Sequence, residues 1–376
     1  MKKLLMMTCA AAIAVFGVAF SAFADPAQGV KIALELKPGE NNPRNSEGSF
    51  LPLKDGCIMY AYSRYCDTYN SDHAKADIAV RYSSDKGATW TDKDEIAVKN
   101  HGGLNVMSVS LLRLQSGEIA LFYLLKNNRT SDCRPVMRRS FDEGKTWSEP
   151  TMCITDEVAY YVLNNDRVIQ LKDGRLLFPV SKHTRPDGTF DGQGTVTTYF
   201  SDDNGKTWRR GCPPFEVHVP GGGRCAAQEP GIVELKDGSI LMWIRNGAGR
   251  QYMCRSSDRG ETWSKPEPSP LASPCAPASI KRLPTGDLLA VWDDHTNVSA
   301  DVRKRDWRAP LAAALSSDEG RTWHGTRLLE GDPKGWFCYT AILSLDDGTV
   351  LLGYCAYSGL AHTRLVKVPL NWFYGK

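Results

Sequence analysis

Five copies of one octapeptide constrain this 376-residue chain more than any other feature. SSDKGATW (Ser83 to Trp90), SFDEGKTW (Ser140 to Trp147), SDDNGKTW (Ser201 to Trp208), SSDRGETW (Ser256 to Trp263) and SSDEGRTW (Ser316 to Trp323) end on tryptophans 57, 61, 55 and 60 residues apart. A period of that length is one supersecondary unit repeated, and such a unit stacks on its copies because it cannot bury its apolar face alone. A second repeat runs between the octapeptides: SFLPLKDGCIMYAY, SLLRLQSGEIALFY, RVIQLKDGRLLFPV, GIVELKDGSILMWI, SIKRLPTGDLLAVW and AILSLDDGTVLLGY. Each is an apolar segment, a glycine turn and a second apolar run. That is the pattern of a β-hairpin, with Gly56, Gly117, Gly174, Gly238, Gly286 and Gly348 at the turns. Almost no long stretch carries a helical period. A hairpin plus a Trp-ended turn supplies four short strands. Six such units predict an all-β chain, a six-bladed β-propeller of four-stranded antiparallel blades over residues 25–376.

In that fold the octapeptide is a turn. Asp85, Asp142, Asp203, Asp258 and Asp318 are placed to accept backbone N–H groups, the glycine two residues on takes a positive φ, and the tryptophan packs on its blade. Five aspartates on five blades lie around a rim, far from one another, so they read as structural and not as paired catalytic carboxylates.

The chain opens with Lys2 and Lys3, an apolar run from Leu4 to about Phe20, and small residues at Ala22 and Ala24. This predicts a cleavable export leader over residues 1–24 and a secreted or periplasmic protein. The run is short for a membrane anchor and no second apolar segment follows, so no membrane span is expected. Loss of the leader removes two lysines and no acid, which takes the formal charge from +3 to +1. A near-neutral chain has no field that would gather nucleic acid or an anionic bilayer. Ten cysteines remain after Cys9, spaced neither as zinc ligands nor as the framework of a small disulfide-rich domain, and which of them pair is left open. The seven histidines show no metal-ligand spacing, and no cation-loop or phosphate-binding motif is present, so neither metal nor cofactor is expected.

S-x-D-x-G-x-T-W is the Asp-box, and five copies with six hairpins resemble the sialidase (neuraminidase) superfamily of six-bladed propellers over essentially the whole chain after the leader. The resemblance implies an exo-acting glycosidase that removes terminal sialic acid from sialylated glycans and glycoproteins. Such a substrate carries a carboxylate on its anomeric carbon, which calls for guanidinium forks. The same carboxylate repels an anionic nucleophile. The family accordingly uses a tyrosine, a glutamate that takes its proton, and an aspartic acid that protonates the leaving oxygen.

Carried over residue by residue, the segment YSRYCDTYNSDHAKADIAVRYSSDKGATW implies Asp72 as the acid/base, with Asp67 as its competitor, and Arg64 beside the sugar's O4. EPGIVELKDGSILMWIR implies Glu229 as the base and Arg245 as one of three arginines for the substrate carboxylate. CYTAILSLDDGTVLLGY implies Tyr339 as nucleophile. RKRDWRAPLAAALSSDEG offers Arg308 as the third arginine, with Arg303 and Arg305 as alternatives. The first, Arg44 in NNPRNSEGSFLPLKDG, stands where the family usually writes Arg-Ile-Pro. Here the letters are Arg-Asn-Ser-Glu, which raises Glu47 as a site residue and points to a divergent branch with altered substrate or stereochemistry. Asn105 and the run Asn164, Asn165, Asp166 open the second and third hairpins, where they either touch substrate or cap strand ends; His73 stands beside Asp72. Two other readings keep the propeller: a hydrolase or lyase for another acidic glycan, such as one ending in a uronic acid, and a non-catalytic glycan-binding protein.

Overall fold

The structure, a computed structural model, describes residues 26–305, 307–332, 335–357 and 360–376; the leader expected over 1–24 lies outside the described residues. The chain is nearly all strand, and helix among the described residues is confined to short segments such as Ala300–Lys304 and Leu370–Phe373. Six antiparallel sheets form the six blades predicted from the hairpins. Blade 1 runs Asn45–Pro52, Ile58–Tyr65, Ala76–Ser83 and Glu95–Val98; blade 2 runs Asn105–Arg113, Ile119–Lys126, Cys133–Ser140 and Thr151–Met152. In blade 3 the first strand is split into Tyr161–Val162 and Ile169–Gln170, both paired to Leu176–Thr184, with Phe190–Ser201 and Arg209–Arg210 outside. Blade 4 runs Gln228–Glu234, Ile240–Arg245, Arg250–Ser256 and Glu267–Ala272, and blade 5 runs Ser279–Arg282, Leu288–Asp293, Leu311–Ser316 and His324–Glu330. Blade 6 takes Cys338–Ser344, Thr349–Ala356 and His362–Pro369 from the end of the chain and Lys31–Leu36 from its beginning, with Glu35 opposite Arg364. One sheet built from both ends closes the ring.

The octapeptide performs two physical tasks. Within each turn the serine hydroxyl donates to the aspartate at 2.7–2.8 Å and accepts the glycine N–H at 2.7–2.9 Å, while the aspartate also accepts the threonine N–H and hydroxyl. Each glycine also touches the preceding blade. A Cβ on Gly87, Gly144, Gly205, Gly260 or Gly320 would meet Leu351, Met59, Met137, Leu177 or Leu241 at 2.3–2.9 Å. These glycines, at φ 79–89°, are therefore required both by backbone conformation and by blade-to-blade packing.

Toward the axis, the innermost strands of blades 1, 2, 4 and 6 share one irregularity. Pairing advances three residues on the inner strand against two on its partner: Ser46 to Ser49, Met107 to Ser110, Gln228 to Gly231, and Cys338 to Ala341. This is a β-bulge, which turns one side chain out of the strand's alternation. The residues in the left-handed conformation there are Glu47 (φ 57°), Ser108 (60°), Glu229 (44°) and Tyr339 (59°). Non-glycine residues adopt that conformation at a cost, and repetition at one level of four blades marks a device that aims side chains at a common point.

Candidate active site

The bulges gather four blades at one mouth. Tyr339, from blade 6, donates its hydroxyl to Glu229 Oε1 of blade 4 at 3.2 Å, and the other Glu229 oxygen lies 2.6 Å from Arg245 Nη1 at the end of the neighbouring strand. Tyr339 is 7% exposed. Arg308 packs over the Tyr339 ring at 5.6 Å and over Trp336 at 5.1 Å, with Nη1 donating to Cys338 Sγ at 3.1 Å. Burial pushes the Tyr339 phenol well above its ordinary pKa; Glu229 adds to the rise, and Arg308 and Arg245 oppose it. The tyrosine is thus a neutral phenol whose proton already points at a carboxylate.

Across the mouth, Arg44 of blade 1 is buried on the face of Tyr65 at 4.7 Å. Its Nε donates to Ser46 Oγ at 2.9 Å, Nη2 to Glu47 Oε2 at 3.2 Å and Nη1 to Asp72 Oδ1 at 2.5 Å. Ser46 and Ser108 hydroxyls complete the shell of Glu47 at 3.0 and 3.1 Å. Burial raises the Glu47 carboxyl; Arg44 opposes the rise, and Asp72 and Glu229 add to it. Asp72 differs: its side chain is 60% exposed. Burial of its loop acts to raise that carboxyl, but Arg44 and Lys126 outweigh it and hold the group below the usual carboxylate value.

The Asp72 loop is fixed through its backbone. The Asp72 carbonyl accepts Lys126 Nζ at 2.7 Å and Asn105 Nδ2 at 3.0 Å, and Asn105 also donates to the Ala74 carbonyl at 2.8 Å. Fully buried Asn105 thus holds the Asp72 loop through its amide nitrogen. Asn165, also fully buried, donates to the Gly48 and Tyr339 carbonyls at 2.7 and 3.0 Å and so ties blade 3 to blades 1 and 6. Asn165 satisfies carbonyls within the bulges of blades 1 and 6, whereas Asn105 satisfies carbonyls of the Asp72 loop.

Arg64, expected beside the sugar's O4, forms an ion pair with Asp94. Alternate residues of Ile58–Tyr65 point to opposite faces. Tyr62 and Arg64 share the face that meets Asp94, at 2.5 and 2.8 Å, whereas Tyr65, one residue on, turns its ring to Arg44. Among the alternatives weighed from sequence, Asp67 caps its own loop through Thr68 N and Lys75 N, Arg303 donates to the His295 carbonyl, and Arg305 lies over Trp307 beside Asp301. None of the three joins the cluster. The structure thus brings together Arg44, Glu47, Asp72, Glu229, Arg245, Arg308 and Tyr339.

Lys126 and Tyr65 were not singled out from the sequence. A signal for Lys126 was present: Arg64, Lys126, Lys182 and Arg245 all lie within three residues of the end of the second strand of a blade, opposite Asn45, Asn105, Tyr161 and Gln228. Superposing the six hairpins by register would have exposed that recurring cation. Tyr65 had no such signal, because the letters do not say which face of its strand meets Arg44.

Residues 65–352 match the BNR repeat-like domain family. A sialidase of Bacteroides fragilis (strain YCH46) is 26% identical over 246 residues, covering 63% of this chain and 41% of that protein. A sialidase of Clostridium perfringens is 28% identical over 258 residues, covering 61% and 64%. The chain thus spans roughly two-fifths to two-thirds of the length of these relatives. A Hadza microbial sialidase superposes with TM-score 0.70 at 23% identity, covering 88% of this chain and 67% of that one. Blades, Asp-boxes and relatives agree: this chain belongs to the BNR repeat-like domain family, as a divergent member of the sialidase superfamily.

Proposed function

We propose that the protein is an exported exo-α-sialidase that hydrolyses terminal sialic acid from glycoconjugates with retention of configuration. The observation that supports this most is the Tyr339–Glu229–Arg245 chain of contacts, since a buried phenol aimed at a carboxylate is a nucleophile with its base in place. In this reading Arg44, Arg245 and Arg308 take the substrate carboxylate. Tyr339 Oη attacks the anomeric carbon as its proton passes to Glu229, so negative charge stays on the far side of the phenol from that carboxylate. Asp72, in its protonated form, donates to the departing glycosidic oxygen. In the second half, Asp72 takes a proton from water, the hydroxide oxygen bonds to the anomeric carbon, and Tyr339 leaves with the proton returned from Glu229. Export as a secreted or periplasmic protein rests on the leader at 1–24.

The test is a panel of α-linked sialosides followed by time-resolved proton NMR. The α-anomer of the free sugar is expected first, and Tyr339→Phe should slow turnover by on the order of 10³-fold. Initial release of the β-anomer, or an unimpaired phenylalanine variant, would sink the mechanism.

A further inference from the structure

Next to the nucleophile are two thiols that the mechanism does not use. Cys338 begins the innermost strand of blade 6 and Cys355 is its directly opposite partner on the adjacent antiparallel strand. Such partners have Cα atoms about 4.5–5.5 Å apart, inside the roughly 4.4–6.8 Å that a disulfide spans, so the link needs no backbone movement. Each residue is 1% exposed, and the two pack in one buried cluster with Tyr339 and Leu360. The pair lies at a decisive point of the strand. Cys338 is the last paired residue before the bulge that turns Tyr339 to φ 59°, and its sulfur accepts the Arg308 guanidinium at 3.1 Å.

We infer that Cys338 and Cys355 are a redox pair built into the active site: as a disulfide they clamp the nucleophile strand at its bulge and release Arg308 toward the substrate. The dithiol does the reverse. Its sulfur holds a guanidinium hydrogen bond that a neutral disulfide sulfur accepts only weakly, so one Arg308 N–H is occupied in the dithiol and available to the substrate in the disulfide. The oxidant is a low-molecular-weight disulfide, acting during folding before Tyr339 and Leu360 cover the sulfurs. The Cys355 thiolate attacks one sulfur of that disulfide, forming a mixed disulfide and expelling one thiolate. The Cys338 thiolate then attacks the Cys355 sulfur and expels the second. The two cysteines lose two electrons and two protons, and the small disulfide becomes two thiols.

The existence of the link is independent of the function proposed above; only its effect on Arg308 rests on that reading. The full chain is refolded in excess oxidised glutathione, its remaining thiols are alkylated under denaturing conditions, and its peptides are mapped by mass. A joined Cys338–Cys355 peptide pair is expected, together with a KM for a sialoside that is several-fold higher in protein refolded in excess reduced glutathione. That difference between the two refolded forms should vanish in the Cys338→Ser/Cys355→Ser double variant. Complete alkylation of both cysteines overturns the pair on unmodified protein, without reliance on any variant that fails to fold. A mapped link with the same KM in the two refolded forms overturns its hold on Arg308. If no sialoside is turned over, the proposed function falls and the peptide map still decides the pair.

Discussion

At the scale of single residues, the state of Asp72 is the sharpest constraint on the chemistry. An acid catalyst must carry a proton, yet in the free protein Arg44 and Lys126 hold this carboxyl below its ordinary value. A substrate carboxylate that takes over Arg44 removes the main attraction and adds a like charge, and both raise the Asp72 pKa. Activity on this limb is lost as pH rises through that pKa. The basic limb of the kcat profile, which reports the complex, is therefore expected at higher pH than the basic limb of kcat/KM, which reports the free enzyme. Coincident limbs in pH–rate profiles would show that substrate does not relieve the Arg44–Asp72 pair. The departure to Arg-Asn-Ser-Glu gains a physical meaning here. Glu47 keeps Arg44 partly neutralised, so the guanidinium is shared between Glu47 and Asp72 and, in the proposed reaction, with the substrate carboxylate.

At the scale of elements, each Asp-box is a small pH-sensitive lock. Asp85, Asp142 and Asp318 are held down to about 2, chiefly by hydrogen bonds from the threonine hydroxyl and N–H of their own turns. For a carboxyl whose folded pKa is lowered, the stabilisation is fully present above the unfolded value near 4 and is lost as pH falls through the folded value. The melting temperature should therefore drop between about pH 4 and pH 2. An Asp85→Asn variant is expected to melt lower than the parent at pH 7 and to show a shallower drop on acidification. Equal acid sensitivity in the two proteins, by calorimetry, would place the acid lability elsewhere. The bulge obeys a different rule. Its function is to break the alternation of a strand, so Glu47, Glu229 and Tyr339 are not found by reading period two. Their role followed from the family segments; their aim followed from the bulge.

At the scale of the whole molecule, the blades are joined at the axis by Asp166. This residue, at φ 58° and with its side chain 7% exposed, leaves blade 3 to accept Ser49 Oγ of blade 1 at 3.0 Å, Lys281 Nζ of blade 5 at 2.7 Å and Ile342 N of blade 6 at 3.1 Å. Its own N–H donates to the Val109 carbonyl of blade 2 at 2.9 Å. Asp166→Ala takes the carboxylate from Lys281, which keeps the Ile342 carbonyl at 3.0 Å, leaves the Ile342 N–H without its partner, and puts a residue poorly suited to the left-handed region at the axis. A loss of about 1–3 kcal/mol in denaturant unfolding is expected. A loss below about 1 kcal/mol would show that the ring is held by side-to-side blade packing alone. Asp166 is thus the keystone of the ring, although from its position alone it could equally have been read as a substrate contact.

Periodic features were legible in the chain itself. Hairpin turns, Asp-boxes, blade number and the all-β class follow from local alternation and from glycines whose conformation is a property of a few adjacent residues. The segments carrying Asp72, Glu229, Arg245, Arg308 and Tyr339 could be named from their letters because each motif is short and continuous. What those letters did not contain is direction. One residue of phase on the second strand of blade 1 sends Arg64 to Asp94 and Tyr65 to the mouth, and a single extra residue in four inner strands aims Glu47, Ser108, Glu229 and Tyr339 inward. Only closure of the ring brings blades 1, 4 and 6 within hydrogen-bond reach, because side-chain partners more than a hundred residues apart are set by packing and not by any local preference.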